Sequence, residues 1–302
     1  MMMLKTCFEI FEKREIIETY LRRQNGPLSS YSFVSIFAWS EFFKFDFELI
    51  DDCLCVFAEN ELGAFMFLPP LGENIGAPVI GKCFERMAQV NGTSNVARIE
   101  NAGRRHLHHF SSDKFSLYKK HYEFLYYKDD IAGLSGSKYK TKRSGYNNFV
   151  KNNDFRFVAF DASLRNDCLE LYDRWALGRK SGSGQEAGDQ MLDECREVNR
   201  LLLDNSEDLG LIARVVLIDG KVSAYTFGFE VTDQVFCVFS EIVDLDVKGL
   251  SVFIFNEFCK DRDLKQYKFI NVMDDFELEN IGRTKMSFNP AVLLDSYSIS
   301  LK

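Results

Sequence analysis

The chain has 302 residues, enough for two ordinary domains or one large one. Hydrophobic residues make up 46% and charged residues 27%, which excludes a disordered or fibrous chain. A formal net charge of −8 at pH 7 excludes broad electrostatic binding to nucleic acid and leaves at most a peripheral contact with a membrane surface.

In chain order, the opening run MMMLKTCFEIFEKREIIETYL sets acids among its apolar residues and lacks a small-residue cleavage site. It reads as an amphipathic helix with Phe8, Phe11, Ile16 and Tyr20 near one face. No apolar run approaches the roughly 18 residues that a spanning helix needs. Eight cysteines lack framework spacing and fit reduced, buried thiols, so the expected location is cytoplasmic. Strands are expected over 52–58 and 63–68, the second closed by Pro69-Pro70 and Gly72, with Cys53 and Cys55 as a buried pair on one face. A helix over 77–90 and strands over 96–100 and 122–127 complete the first half. His106 and His108 would share a strand face, but no carboxylate or thiol stands at ligand spacing beside them, so no metal is expected. Trp39 and Trp175 read as core anchors, and Gly178 to Gly188 as a loop, a connector or a lid.

The second half gives strands over 211–218, 222–231 and 235–243, the first two joined by the hairpin turn Asp219-Gly220. A loop over 244–248, a helix from Gly249 to about Asp261 and a strand over 268–272 follow. This β-β-β-α-β order is the core of the GNAT acyltransferase fold. Unpaired amides and the helix dipole at Lys248-Gly249-Leu250-Ser251 could hold a pyrophosphate, although Asp244 and Asp246 share that loop. An ordinary helix start is the plainer alternative.

The segment SGSKYKTKRSGYNNF carries Lys138, Lys140, Lys142 and Arg143 with no acid. On a helix from Ser137, Tyr139, Arg143, Tyr146 and Val150 form one stripe, with Lys142 beside it and Lys140 solvated. An inward arginine needs an anion: either Asp274 or Asp275, or a ligand phosphate. After the last core strand stand Asp274, Asp275, Arg283 and Lys285, a candidate proton acceptor and oxyanion site or a surface ion-pair network. Glu241 ends the third meander strand and is a second candidate base.

Several stretches, in order, resemble the DUF2156 family, which is related to the C-terminal catalytic domain of phosphatidylglycerol lysyltransferases and, more distantly, to Fem-type aminoacyl transferases. They are Phe33-Val-Ser-Ile-Phe-Ala-Trp39, Phe67-Leu-Pro-Pro-Leu-Gly72, Tyr122 to Tyr127 with Asp130, Leu134 to Arg143, Trp175, Gly249, Asn271, Asp275 and Lys285-Met-Ser-Phe-Asn-Pro290. The resemblance covers nearly the whole chain. It implies an α+β fold of two tandem GNAT-like domains, each a mixed, mostly antiparallel sheet flanked by helices. Their expected extents are 1–134 and 153–302, with a connecting helix over 135–152.

The implied activity moves an acyl or aminoacyl group from a coenzyme A thioester or an aminoacyl-tRNA to an amine or hydroxyl acceptor. The substrate would be a small molecule, lipid-borne or tRNA-borne. Glu241, read from its strand position, and Asp275 and Lys285, which the resemblance also covers, are the candidate catalytic groups. Lys138, Lys142, Arg143, Gly249 and Asn271, within the resembling stretches, and Lys248, Ser251, Asp274 and Arg283, read from their positions, are the candidate substrate and phosphate contacts. Ser144-Gly145 stand where the family usually has Asn-His, and Gly282 where it has an arginine. With Asp246 in the phosphate loop, these departures keep open an alternative: a catalytically divergent module binding a nucleotide, a lipid head group or a protein.

Overall fold

A computed structural model of the protein describes residues 9–183 and 186–302. Phe8 of the expected N-terminal stripe lies outside the described residues. In chain order, helices α1 (Arg14–Gln24) and α2 (Phe33–Ala38) precede strands β1 (Lys44–Ile50), β2 (Cys53–Asn60) and β3 (Gly63–Met66). Helix α3 (Ala77–Asn91) and strands β4 (Ile99–Gly103) and β5 (Phe115–Tyr127) follow, then the short α4 (Lys128–Gly133) and α5 (Lys140–Asn152). Strand β6 (Phe155–Ala159) leads to the long α6 (Arg165–Ser183) and α7 (Glu186–Asp204). Strands β7 (Ile212–Ile218), β8 (Lys221–Thr232) and β9 (Val235–Val243), helix α8 (Leu250–Lys260) and β10 (Phe269–Asn271) form the next run. Helix α9 (Glu279–Met286) and β11 (Val292–Leu301) end the chain.

Two compact units result, both interrupted in sequence. The first takes residues up to Phe124, Met273–Gly282 and Leu293–Lys302; the second takes Leu125–Val272 and Arg283–Val292.

In the first unit the strand order is β1-β2-β3-β4-β11-β5. The β1–β2 hairpin turns on Asp51 and Asp52, both at positive φ (48° and 63°), a conformation that aspartate tolerates better than most side chains. Helix α3 buries Val79, Ile80, Cys83, Phe84 and Met87, a helical stripe that packs on Cys53, Cys55, Phe57 and Met66 from β2 and β3. Cys53 and Cys55 are buried, as expected, and the Cys55 thiol touches that of Cys83 at 3.5 Å. His106 does not share a strand face with His108: both lie in a 3-10 turn over Arg104–His109. His106 is buried there with its ring stacked on Tyr31, and desolvation first, then the Arg105 charge, pushes its pKa down to about 4.

In the second unit the order is β5-β10-β9-β8-β7-β6, antiparallel except for the β9–β10 pair. The meander and its Asp219-Gly220 turn, both residues at positive φ, match the sequence reading. Helix α8 carries the chain from β9 to its parallel neighbour β10. It buries Leu250, Phe253 and Ile254 against Val216, Ala224, Val243 and Phe149.

The expected loop over Gly178 to Gly188 is instead the end of α6 and the start of α7, with 184 and 185 outside the described residues. Interior glycines cost about 1 kcal/mol each in a helix. Packing between the two helices overrides that cost: the Tyr172 hydroxyl donates to Leu192 O at 2.9 Å, and Arg196 pairs with Asp173 at 2.6 and 3.0 Å. Trp39 and Trp175 are half-buried rather than core, and the Arg179 guanidinium lies 4.3 Å above the Trp175 ring.

Candidate active site

The central feature of the second unit is what happens to β9 beyond its first three residues. Phe269–Asn271 of β10 pair with Val235–Cys237, so Val238–Val243 run on without a β10 partner. On the β8 side the register slips: Phe227 pairs with Ser240 but Gly228 with Val238, leaving Phe239 as an extra residue. This β-bulge needs Gly228, because a Cβ there would collide with the Cys237 carbonyl. Strand residues alternate faces, and one extra residue reverses the alternation. Glu241 is thereby turned to the face that Phe236 and Val243 occupy. That face lies under α8, since Phe236 meets Phe258 at 5.8 Å and Val243 joins the cluster with Leu250 and Phe253.

A carboxylate placed there is short of water. Glu241 keeps some solvent exposure as a residue, but burial of its carboxyl pushes the pKa up to about 8, only partly opposed by the positive charge of Lys285. Among the described residues no side chain forms a salt bridge or hydrogen bond with it. The buried Cys259 thiol of α8 is pushed up by desolvation and then by the charge of Glu241. The hydroxyl of Tyr126 is raised by burial first, then by Tyr139 and Glu241.

Lys285, near the end of α9, sends its ammonium to Val272 O at 2.6 Å, the carbonyl just past β10. Asn271, the last residue of β10, is fully buried. The unit thus gathers Glu241, Asn271 and Lys285 where β10 stops and β9 continues. A carboxyl of raised pKa and an ammonium within its electrostatic reach are groups able to exchange a proton and to oppose a negative charge.

The other expected contacts distribute as follows. Lys142 faces inward: its ammonium donates to Ser287 Oγ at 2.6 Å and lies 3.7 Å from the centre of the Phe288 ring, and desolvation lowers its pKa. Among the described residues Arg143 has no aspartate partner. Its guanidinium donates to the carbonyls of Leu134 and Gly136, the turn that feeds its own helix. The stripe is also rephased: Ser137–Tyr139 form a 3-10 turn before α5, so Phe149 is buried and Val150 exposed. Lys138 is exposed and pairs with Asp130 at 2.9 Å; Lys140 is exposed.

Gly249 adopts φ 86°, and its Cα packs on the Gly145 carbonyl so closely that a Cβ would collide with it. The glycine of Ser144-Gly145 therefore belongs to a helix crossing between α5 and the start of α8. Lys248 is exposed and Ser251 half-buried, while Asp244 folds back to accept from Asp246 N at 3.0 Å. Arg283 is exposed in the second unit. Asp274 and Asp275 belong to the first unit, where Asp274 faces His121 at 3.5 Å and Asp275 accepts from Glu277 N at 3.2 Å. The bulge at Phe239 escapes a reading by periodicity; the one signal is a glycine inside the strand pattern YTFGFE. Among the described residues no group of three or more His, Cys, Asp or Glu could hold a metal ion, and no helix is long and apolar enough to cross a membrane.

A meander, a crossover helix and a parallel strand that stops short define a GNAT-like fold, and a tandem GNAT protein from the clavulanic acid biosynthesis pathway shares it. That match has 8% identity and a TM-score of 0.52, covering 98% of this chain and 95% of the other. The family model described as phosphatidylglycerol lysyltransferase, C-terminal, matches residues 23–299, and the chain belongs to that family. Among solved structures, a conserved protein of unknown function from Bacteroides thetaiotaomicron VPI-5482 is 24% identical with a TM-score of 0.84, covering 96% of this chain and 97% of that one. The L-PGS of Bacillus licheniformis is 17% identical with a TM-score of 0.67, covering 95% and 91%. No curated protein matches.

Proposed function

We propose that the protein transfers an aminoacyl group from an ester donor, an aminoacyl-tRNA, to a hydroxyl or amine acceptor such as a polar lipid head group. The observation that carries this reading is the Glu241 carboxyl, without a hydrogen-bond or ion-pair partner among the described residues and pushed up to about 8 under α8, with the charge of Lys285 opposing the shift. Membership in the phosphatidylglycerol lysyltransferase family supports the class of reaction.

In this reading Glu241, in its ionised form, takes the proton of the acceptor as its oxygen or nitrogen attacks the ester carbonyl. The Lys285 ammonium opposes the negative charge that develops on the carbonyl oxygen. Collapse of the tetrahedral intermediate expels the donor hydroxyl, which recovers the proton from Glu241. Lys142 serves as the phosphate contact, and Asn271 fixes the end of β10 that orients the donor. Asp275 is left as a contact of the first unit. An ester donor is preferred to coenzyme A because the Gly145 carbonyl crowds Gly249, and Asp244 and Asp246 share the loop, at the start of α8 where a pyrophosphate would sit. Phe288, moreover, is buried edge-on against Phe255 at 5.2 Å.

The test is transfer of labelled amino acid from a panel of charged tRNAs to phosphatidylglycerol vesicles and to soluble amines, with labelled acetyl-CoA in parallel. Glu241→Gln is expected to lower the rate by about 10² to 10⁴. Thermal stabilisation by a donor without labelled product would favour the divergent binding module, for which the acidic pair Asp244 and Asp246 beside the helix start is the supporting observation. Turnover of acetyl-CoA alone would overturn the ester donor.

A further inference from the structure

The ten residues Arg283–Val292 belong to the second unit, while the chain on both sides of them belongs to the first. Lys285 rides on this excursion, so its position depends on what fastens the segment. Two buried tyrosines do so from different elements. The Tyr126 hydroxyl, from β5, donates to Lys285 O at 2.8 Å, and the Tyr139 hydroxyl, from the turn before α5, donates to Phe288 O at 3.0 Å. Both side chains are about 1% exposed. The last carbonyls of a helix lack intrahelical donors. At the end of α9 the Lys285 carbonyl is met by the Phe288 amide at 3.1 Å and by Tyr126. Ala291 N donates to Leu125 O at 2.8 Å, completing the attachment beside Tyr126 itself.

We propose that Tyr126, assisted by Tyr139, is a positioning residue that holds the end of α9 so that the Lys285 ammonium keeps its place on Val272 O, within electrostatic reach of Glu241. The assignment rests on Glu241 being the base of the transfer. Tyr126 touches no reacting atom in this scheme; it acts through Lys285. The titratable groups around Glu241 are Lys285 from α9, Tyr126 from β5 and Cys259 from α8, with Lys128 of α4 acting on Cys259. Of these, Lys285 is the group whose positive charge favours the carboxylate of Glu241 directly. Phenylalanine at 126 keeps the ring packing on Phe255 (5.9 Å, edge-on) but removes the donor from the Lys285 carbonyl. The turn is then free to carry the ammonium away, and the carboxyl titrates at a higher pH.

The experiment is a carboxyl NMR titration of the full chain labelled with ¹³C-glutamate, the Glu241 resonance being assigned by its loss in Glu241→Gln. Tyr126→Phe is expected to move the midpoint upward by about half a unit or more. Lys285→Met moves it at least as far, and the double variant moves it no further. Tyr139→Phe shifts it in the same direction by less and serves if Tyr126→Phe does not fold. In the transfer assay Tyr126→Phe lowers kcat with little change in KM. A lowered melting temperature with an unmoved Glu241 midpoint assigns the tyrosine to packing alone and overturns the proposal, as does an unmoved midpoint in Lys285→Met. Because the titration needs no substrate, a failure of the transferase reading leaves its result standing and is told apart from a failure of this one.

Discussion

Glu100 in the first unit and Glu241 in the second are both strand glutamates drawn out of water, yet their environments drive them in opposite directions. Glu100 sits on β4 with its side chain 8% exposed and is surrounded: Arg98 pairs with it and Lys120 reaches it at 2.8 Å. Desolvation pushes its pKa up, but Lys120 and Arg98 outweigh that and hold it below the usual carboxylate range. Asp295 on β11 repeats the arrangement with Arg104 and Lys119, each at 2.6 Å. Glu241 has burial without such pairs among the described residues, and its pKa goes the other way, up to about 8. A fold that satisfies its buried acids in one place and leaves one unsatisfied in another separates structural from chemical use of the same residue type.

The contrast predicts opposite signs for the same substitution, and this is the largest stability effect expected. Glu100→Gln breaks a buried ion-pair network and costs about 3 kcal/mol. Its stabilisation is present above the unfolded pKa and is lost in wild type as pH falls through the depressed folded value. Glu241 has a raised folded pKa, so the native state holds a proton that the unfolded chain has released. Wild-type stability therefore falls as pH rises from the ordinary carboxylate range to about 8. Glu241→Gln removes that slope and stabilises the protein by about 3 kcal/mol at pH 8 and above. Chemical denaturation at pH 5, 7 and 9 checks both. Equal losses for the two variants would break the comparison.

A lesion in the same unit that touches no charge sharpens it. Gly249→Ala places a Cβ against the Gly145 carbonyl at φ 86° and is expected to cost about 2 kcal/mol. Since no titrating group is altered, that cost is the same at each of the three pH values. A pH-dependent loss would mean that the α8 start, and not Glu241, carries the titration.

The meander, its Asp219-Gly220 turn and the crossover helix are legible in the sequence because alternation and turn residues encode them locally. The Gly178 to Gly188 run misleads because tertiary contacts between α6 and α7 override glycine's poor helix propensity. Glu241 is legible as an acid at a strand end, but its orientation is not. Which face it takes depends on the one-residue bulge at Phe239, and a register shift leaves no mark in periodicity beyond Gly228. Arg143 reads as an anion seeker because the sequence cannot reveal that two backbone carbonyls, Leu134 and Gly136, fold back to meet it. Lys142, beside it, keeps the character expected of both.

That residue gives the smallest and most discriminating effect. The Lys142 ammonium is desolvated, and its partners are a serine hydroxyl and an aromatic face. Burying a cation so lightly compensated is unfavourable, so Lys142→Met, which keeps the stem packed on Phe288, is expected to change stability by less than about 1 kcal/mol, toward greater stability. Among the described residues the Lys142 ammonium has no carboxylate partner. If it is kept for an anion, the methionine variant shows a raised KM for the phosphate-bearing substrate with kcat nearly unchanged. A stability loss of several kcal/mol with unaltered KM would place Lys142 with Glu100, among the charges the fold needs for itself.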